Sequence, residues 1–417
     1  MPKEILTIDD FDLKGKTVLV RVDINSPINP LTGEILDDTR IRNHIKTIKE
    51  LSESKVVLLA HQSRPGKRDF TNLKKHAKQI TKRLGKKVTY IDDFFGSKAL
   101  TKVQNMKKGE RILLENVRFY AEEHLLKGKD FASQAESHMV SHLAELGDYF
   151  INDAFAAAHR AQPSLTGFTE VLPCLAGKVM EREISMLQKA MHSNERPSIA
   201  VLGGIKVFDT IEVMRNMLEN DVVDRVLTTG VVANIFLLAR GHDLGEPNIS
   251  FLEKEVGKYE ELTEQAKALD SEHSSKIDVP ADLVLNDNGE RKGLSLGDLP
   301  AESRIFDIGL DTAVNYRNQI LEAKNIILNG PAGVFEIEEF AVGTTIIFNA
   351  IAESKGFSVI GGGETVAAAR NLNLEGKVNH ISTGGGACIT YLAGQSMPVI
   401  EALKHSKKLY EKGHYRC

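Results

Sequence analysis

The sequence predicts an α/β protein made of two doubly wound parallel-sheet domains joined by a helix. Three observations lead there. Short β-branched runs alternate with amphipathic segments almost to the end of the chain, the order expected of parallel sheets covered on both faces. The runs of the first half end in basic and amide side chains, whereas those of the second half end in glycine. Helical patterning over 177–192, followed by a new strand after Pro197, divides the series in two. The expected domains are 1–172 and 194–396, with 173–193 as the connecting helix and 397–417 as a tail. Each half is Rossmann-like in its alternation.

The first run, 17–22, is a buried strand by its valines, and Asp23, Asn25, Pro27 and Pro30 stop it. A loop leads to Asp38 and Thr39, a good N-cap pair, which places Arg40 in the first turn of a helix over 39–52. A cation there opposes the helix dipole unless an anionic ligand sits between it and the backbone N–H groups. Further strands are expected over 55–60, 87–91, 111–114 and 149–151, with helices over 73–84 and 131–146. In the second half, strands over 198–202, 225–228, 282–285, 304–308, 325–328, 357–360 and 380–382 alternate with helices such as 210–218 and 342–354. The tail, 398–417, reads as one more helix with a basic end.

With 417 residues, 42% of them hydrophobic, the chain can bury two cores. A formal net charge of −4 gives no bias toward nucleic acid or an anionic membrane. The charged opening segment lacks the apolar centre of a signal peptide, and runs such as 231–239 are too short to span a bilayer. Cys174, Cys388 and Cys417 form no C-x-x-C pair, which argues against a disulfide framework or zinc site and makes the cytoplasm the expected compartment.

Strands of one parallel sheet point the same way, so the groups that follow them converge on one edge. In the first half these are Asp23 and Asn25, then His61-Gln62-Ser63-Arg64, then Asn116-Val117-Arg118, then Asn152-Asp153 leading to His159 and Arg160. Arg40, Arg64, Arg118 and Arg160, with His61, would make a cationic basin suited to phosphate and carboxylate. One such arginine would be ordinary surface; four at corresponding strand ends would not. The second half offers Gly203-Gly204-Ile205-Lys206, Thr229-Gly230, Asn329-Gly330-Pro331-Ala332-Gly333 through Glu336, Gly361-Gly362-Gly363-Glu364-Thr365, and Gly384-Gly385-Gly386. Glycine there lets a ligand approach the backbone and frees N–H groups for phosphate; Lys206 adds a charge, and Glu364 could hold a phosphate-bound Mg²⁺. A single glycine triplet would be read as a turn.

Two familiar nucleotide signatures are absent. Gly15-Lys16-Thr17 lacks the upstream glycine of a P-loop and precedes its strand. No G-x-G-x-x-G joins a first strand to a helix with an acid about twenty residues on, which weakens a nicotinamide dehydrogenase reading. His159-Arg160-Ala161 is not a protein-kinase catalytic loop. An anion basin on one domain and a glycine-rich cradle on the other suit phosphoryl transfer.

The ordered motifs RVDINSP, DDTRIR, HQSRP, LLENVRF, YFINDAFAAAHR, LGGIKV, NGPAGVFE, IGGGET and STGGGA resemble those of the phosphoglycerate kinases, from about residue 5 to about residue 395, in the archaeal style. The resemblance implies reversible phosphoryl transfer from 1,3-bisphosphoglycerate to ADP in glycolysis and gluconeogenesis, with Mg²⁺ and ATP or ADP. It assigns Asp23, Ile24, Asn25, Arg40, His61, Gln62, Ser63, Arg64, Arg118 and Arg160 to 3-phosphoglycerate. It assigns Lys206, Gly230, Asn329, Gly333, Glu336, Gly362, Gly363, Glu364 and Thr365 to the nucleotide, with Glu364 near the metal directly or through water. Arg40, Lys206 and Gly384–Gly386 would act on the transferring phosphoryl.

The resemblance also implies a tail that folds back on the first domain, and a hinge closure with 177–192 and the STGGG segment as hinge candidates. A monomer is expected, a homodimer being the alternative, with no nucleic-acid or membrane partner. Three places depart from the family pattern. Thr210 stands where most members have a second lysine, and Lys178 is a candidate replacement. Thr228-Thr229-Gly230 replaces a glycine triplet near the adenine pocket, and Glu364 replaces an aspartate. A non-catalytic relative kept as a scaffold would be expected to lose some of Arg40, Arg118, Arg160, Lys206 or Glu364, and all are present.

Overall fold

The computed structural model describes residues 4–415; the last residues of the expected tail helix, Arg416 and Cys417, lie outside it. The chain divides into two compact units, one running up to Ile184 and resuming at Ser396, the other Ser185–Gln395.

The first unit is built on a six-stranded parallel sheet. Its strands are β1 (Thr17–Arg21), β2 (Lys55–Leu59), β3 (Thr89–Tyr90), β4 (Arg111–Leu113), β5 (Tyr149–Asn152) and β6 (Cys174–Ala176), in the order β3-β4-β2-β1-β5-β6. The central strands are apolar at consecutive positions because helices cover both faces: Val18, Leu19, Val20 and Val56 through Leu59 are all fully buried. One face packs against Ile41, Ile48, Ala77 and Ile80 from the helices Thr39–Glu50 and Lys74–Leu84.

The second unit has six parallel strands in the order β15-β14-β13-β7-β8-β9. These are β7 (Ser198–Leu202), β8 (Arg225–Thr228), β9 (Ile277–Asp278), β13 (Asn325–Asn329), β14 (Phe357–Gly361) and β15 (His380–Ile381). The direction of winding reverses between β7 and β13, the kind of place where open α/β sheets bind ligands. Between β9 and β13 the chain inserts an antiparallel sheet of β10 (Asp282–Asp287), β11 (Glu290–Ser295) and β12 (Arg304–Ile308), in the order β11-β10-β12.

Several elements differ from the sequence expectation. The stretches 282–285 and 304–308 are antiparallel rather than members of the parallel sheet, because a two-residue hairpin turn, Asn288-Gly289 at φ 52° and 97°, folds β11 back on β10. Residues 174–176, assigned above to the connecting helix, form edge strand β6, and the helix itself is Lys178–Met191. The helix expected over 131–146 is two, Phe131–Ala135 and His138–Ala144, because the Ser137 hydroxyl caps the second by accepting the Val140 N–H at 3.3 Å. The helix Pro398–Glu411 belongs to the first unit. There Ser406 Oγ accepts the Cys174 N–H at 2.8 Å, and the buried Tyr415 hydroxyl donates to the Thr169 carbonyl at 2.7 Å. Cys174 and Cys388 are both buried. Among the described residues no helix is long and apolar enough to cross a membrane.

Candidate active site

In the first unit the segments after β1, β2, β4 and β5 gather at one edge of the sheet. Asp23, buried just past β1, pairs with the guanidinium of Arg40 in the first turn of its helix. Burial alone would raise the Asp23 carboxyl, but Arg40, Arg21 and the Asn25 N–H outweigh it and bring it to about 2. Arg40 therefore meets a fixed carboxylate while its side chain stays 38% exposed. The N-cap expectation needs correcting: Asp38 occupies the cap position, but its carboxylate is held by Gln79 and Arg83 and by Arg42 at 3.1 Å. Asp37 accepts the Thr39 N–H instead, at 2.8 Å.

The loop after β2 is set by amides. Gln62 is fully buried; its side chain accepts the Ser26 N–H and donates to the Ser26 carbonyl, both at 3.0 Å, and its oxygen also meets His76 Nε2 at 3.0 Å. Asn25 Oδ1 accepts the Ser63 N–H at 2.9 Å. Ser63, at φ 56°, gives its hydroxyl to Asp69 at 2.6 Å. Gln62 and Ser63 thus spend their side chains on shaping the loop, and Ile24 is buried in the core. The structure does not bring those three side chains into the basin.

The cations do gather. Arg118 Nη1 donates to the Ser63 carbonyl at 2.5 Å, while its Nε is buried with no partner. Burial, then Arg160 and Arg21, lower Arg118 to about 10, so these like charges feel one another. Arg160 donates to His159 Nε2 at 3.2 Å, and burial with Arg160 lowers His159 to about 4. Arg64 is exposed. Among the described residues Arg64, Arg118 and Arg160 have no acidic partner within ion-pair distance, so the basin carries uncompensated positive charge.

Beneath it lie groups that the sequence reading missed. Arg21, the last residue of β1, is fully buried; it donates to His61 Nδ1 at 2.9 Å and to Ser164 Oγ at 3.1 Å. Ser164 in turn donates to the buried Glu123 at 2.7 Å. An arginine can only donate, so His61 Nδ1 must accept and the ring proton sits on Nε2. Burial and then Arg21 hold His61 well below the usual histidine range, so the ring is neutral. His44 accepts the Asp23 N–H at Nε2, 3.1 Å away, and its Nδ1 lies 2.7 Å from the buried carboxylate of Asp153. A charged residue closing an otherwise apolar strand was the available signal for Arg21.

In the second unit the glycine loops lean on one another. A Cβ on Gly330, at φ 99°, would lie 2.1 Å from the Gly203 carbonyl oxygen, and one on Gly203 would lie 2.1 Å from Thr229 Oγ1. Bonds of 2.8 Å (Gly203 N–H to Asn329 O) and 3.1 Å (Gly230 N–H to Ala332 O) hold the loops together. Several of these glycines therefore permit backbone-on-backbone packing, in addition to any ligand approach. Gly203, Gly204, Lys206, Asn329, Gly330, Gly362, Gly363, Glu364 and Thr365 line one small cleft. Gly204, Gly230, Gly333, Glu336 and Glu364 line a second, larger one that shares two of those residues. Thr365 Oγ1 accepts the Gly330 N–H at 2.7 Å, and Ser382 Oγ accepts the Gly384 N–H at 3.0 Å. Gly385 and Gly386 open the helix Gly386–Leu392.

Lys178, the candidate replacement for the missing lysine, is committed to Asp9 and, at 3.1 Å, to Glu181. Thr210 itself lines the small cleft, but its side chain is buried and donates its hydroxyl to the Lys206 carbonyl at 2.9 Å. Lys206 is exposed at the start of its helix. Among the described residues Glu364, also exposed, has no hydrogen-bond or ion-pair partner, and no group of three acidic, histidine or cysteine side chains could hold a metal. One carboxylate beside a phosphate cradle fits Mg²⁺, which takes its other ligands from phosphates and water; it does not fit a cage made by protein alone.

Fold and site together define an α/β protein with a cationic basin at the edge of one parallel sheet and a glycine-rich cleft at the edge of another. The family model for phosphoglycerate kinase matches residues 8–395. A phosphoglycerate kinase of Methanothermus fervidus is 50% identical over 97% of this chain and 98% of its own length. That of Methanosarcina mazei is 51% identical over 98% and 97%. The crystal structure of phosphoglycerate kinase from Pyrococcus horikoshii OT3 superposes with a TM-score of 0.88 at 41% identity, covering 97% of this chain and all of that one. The chain belongs to the phosphoglycerate kinase family.

Proposed function

We propose that this chain transfers a phosphoryl group reversibly between 1,3-bisphosphoglycerate and ADP, giving 3-phosphoglycerate and ATP, as a cytoplasmic enzyme of glycolysis and gluconeogenesis. The observation that carries the reading is the basin of Arg64, Arg118 and Arg160 without acidic partners, next to the Asp23–Arg40 pair. A dianionic phosphate relieves the mutual repulsion of these guanidinium groups, and the fork of each suits its oxygens. His61, held neutral with its proton on Nε2, can donate to that phosphate. Asp23 and Asn25 orient the hydroxyl and carboxyl end, which brings the carboxylate to Arg40.

The leaving group of the forward reaction is a carboxylate, so no strong general acid is needed. Positioning and neutralisation of charge on the phosphoryl oxygens dominate. Arg40 supplies that charge from the glycerate side, and Lys206 with the N–H groups of the glycine loops from the nucleotide side. Glu364 would hold Mg²⁺, which neutralises nucleotide phosphate charge when bound. Acceptor and donor belong to different units, so in-line transfer requires a closure that brings them together and excludes water. The helix Lys178–Met191 and the loop at Gly384–Gly386 are the proposed hinges.

The test is ATP-dependent phosphorylation of 3-phosphoglycerate by the purified protein, followed through a coupled dehydrogenase, with Arg40→Ala alongside. Turnover lost in the variant is the expected result. Absence of turnover in the parent protein, despite binding of both ligands, would favour a non-catalytic scaffold. Small-angle scattering that shows no compaction with both ligands would remove the closure.

A further inference from the structure

Beneath the cationic basin lies a guanidinium that touches no carboxylate. Arg21 is fully buried, and its partners are the Val22 carbonyl, Ser164 Oγ at 3.1 Å and His61 Nδ1 at 2.9 Å, none of them charged. A buried cation is costly unless a counter-charge is near. Asp23 is already engaged by Arg40. The other counter-charge stands one hydroxyl away. Glu123, in the short helix Glu122–Leu125, is fully buried and spends both carboxyl oxygens on Ser164: Oε1 accepts its hydroxyl at 2.7 Å and Oε2 its backbone N–H at 3.0 Å. With both oxygens accepting, a proton on this carboxyl would find no acceptor, so the group is a carboxylate. Burial pushes it up, while Arg21, the two Ser164 donors and Arg118 hold it down.

The series has one direction. Arginine only donates, so Ser164 Oγ accepts from Arg21 Nε and passes its own proton to Glu123; at the other end His61 Nδ1 accepts and Nε2 keeps the ring proton. Resting on the glycerate-site reading above, we propose that Glu123 is a positioning residue for the phosphate end of 3-phosphoglycerate. Through Ser164 and Arg21 it holds His61 in the tautomer that presents an N–H to that phosphate. Glu123 is sealed from solvent and does not itself reach the ligand. In Glu123→Gln an NH₂ group stands where an oxygen accepted. The Ser164 hydroxyl must then turn its proton elsewhere, and Arg21 loses both the orientation of its Nε acceptor and its counter-charge. Released from Arg21, the His61 ring can carry its proton on Nδ1 and set a bare nitrogen against the phosphate oxygens.

The experiment measures steady-state kinetics of the parent, Glu123→Gln, His61→Ala and the double variant, with nitrogen NMR of protein labelled in its histidine rings. The His61 signal is the one missing from His61→Ala. In the parent it should show the proton on Nε2 alone, and in Glu123→Gln the Nδ1-protonated form should appear. The KM for 3-phosphoglycerate should rise roughly tenfold in Glu123→Gln, the worth of one hydrogen bond to a charged group, with the KM for MgATP changed by about twofold or less. In the His61→Ala background the same substitution should add almost nothing, because its effect passes through the ring. A parent ring protonated on Nδ1 overturns the proposal. So does an unchanged KM for 3-phosphoglycerate in Glu123→Gln, or a full additional loss in the double variant, as damage to the fold alone would give. Should Glu123→Gln fail to fold, Ser164→Ala removes the bridge while leaving both charges, and it is read in the same two ways. Normal parent turnover with any of these failures sinks this assignment alone, whereas a parent that does not turn over sinks the glycerate reading with it.

Discussion

His76 offers a test of how the loop after β2 is held. It is 1% exposed on the helix Lys74–Leu84; its Nε2 meets Gln62 Oε1 at 3.0 Å, and its Nδ1 is buried without a partner. Through Gln62 it buttresses the turn that carries His61 and Arg64. Burial lowers its pKa from 6.5 to about 4. The folded value lies below the unfolded one, so between them the unfolded chain binds the extra proton. The stabilising effect is full above about pH 6.5 and is lost as pH falls toward about 4. At about pH 5 the linkage amounts to about 2 kcal/mol for this one ring. In His76→Leu that component disappears, while the lost hydrogen bond and the removed unpaired nitrogen nearly offset each other. Urea unfolding of both proteins from about pH 8 to about pH 5 should show similar stability at the upper end. At the lower end the variant should lead by about 2 kcal/mol. His61 and His159 titrate in the same direction in both proteins and cancel in the difference. Parallel curves across the range would refute a neutral, proton-excluding His76.

Arg40→Lys keeps the charge but loses the fork, so kcat should fall on the order of 100-fold with a smaller change in KM for 3-phosphoglycerate, read by steady-state kinetics. Gly330→Ala must hold a Cβ at φ 99° and 2.1 Å from a backbone oxygen; we expect a loss of about 3 kcal/mol or more and a weaker ADP-induced thermal shift. Chelation should abolish turnover and added Mg²⁺ restore it, with the melting temperature of the ligand-free protein unmoved, because no protein cage depends on the metal. Tyr415→Phe removes a buried hydroxyl shared by Ser406 at 2.8 Å and Thr169, at a cost of about 1 kcal/mol in chemical denaturation.

The buried strands were legible because both their faces are covered, which leaves apolar runs such as 18–20 and 326–328 at their centres. Some edge elements were not, although β3 and β15 fall inside the expected strands 87–91 and 380–382. β6 and β9 have three and two residues, and β11 reads Glu-Arg-Lys-Gly-Leu-Ser, an exposed strand with the composition of a loop. The Asn288-Gly289 pair was a usable hairpin signal there. In the site, the arginines could be found because a parallel sheet delivers its strand ends to one edge. Their supports could not: Arg21 meets a histidine 40 residues away and His44 an aspartate 109 residues away, which no local pattern encodes. Arg21, Glu123 and Ser164 come from three separate segments and meet only after folding.

Because the helix Pro398–Glu411 completes the first unit, the second unit is an insertion within it. The bond from Cys174 to Ser406 closes across 232 residues. During synthesis Ser406 leaves the ribosome after the whole second unit has emerged. The part of the protein made first is therefore finished last, and the second unit can reach its native form while the first still waits for its final helix.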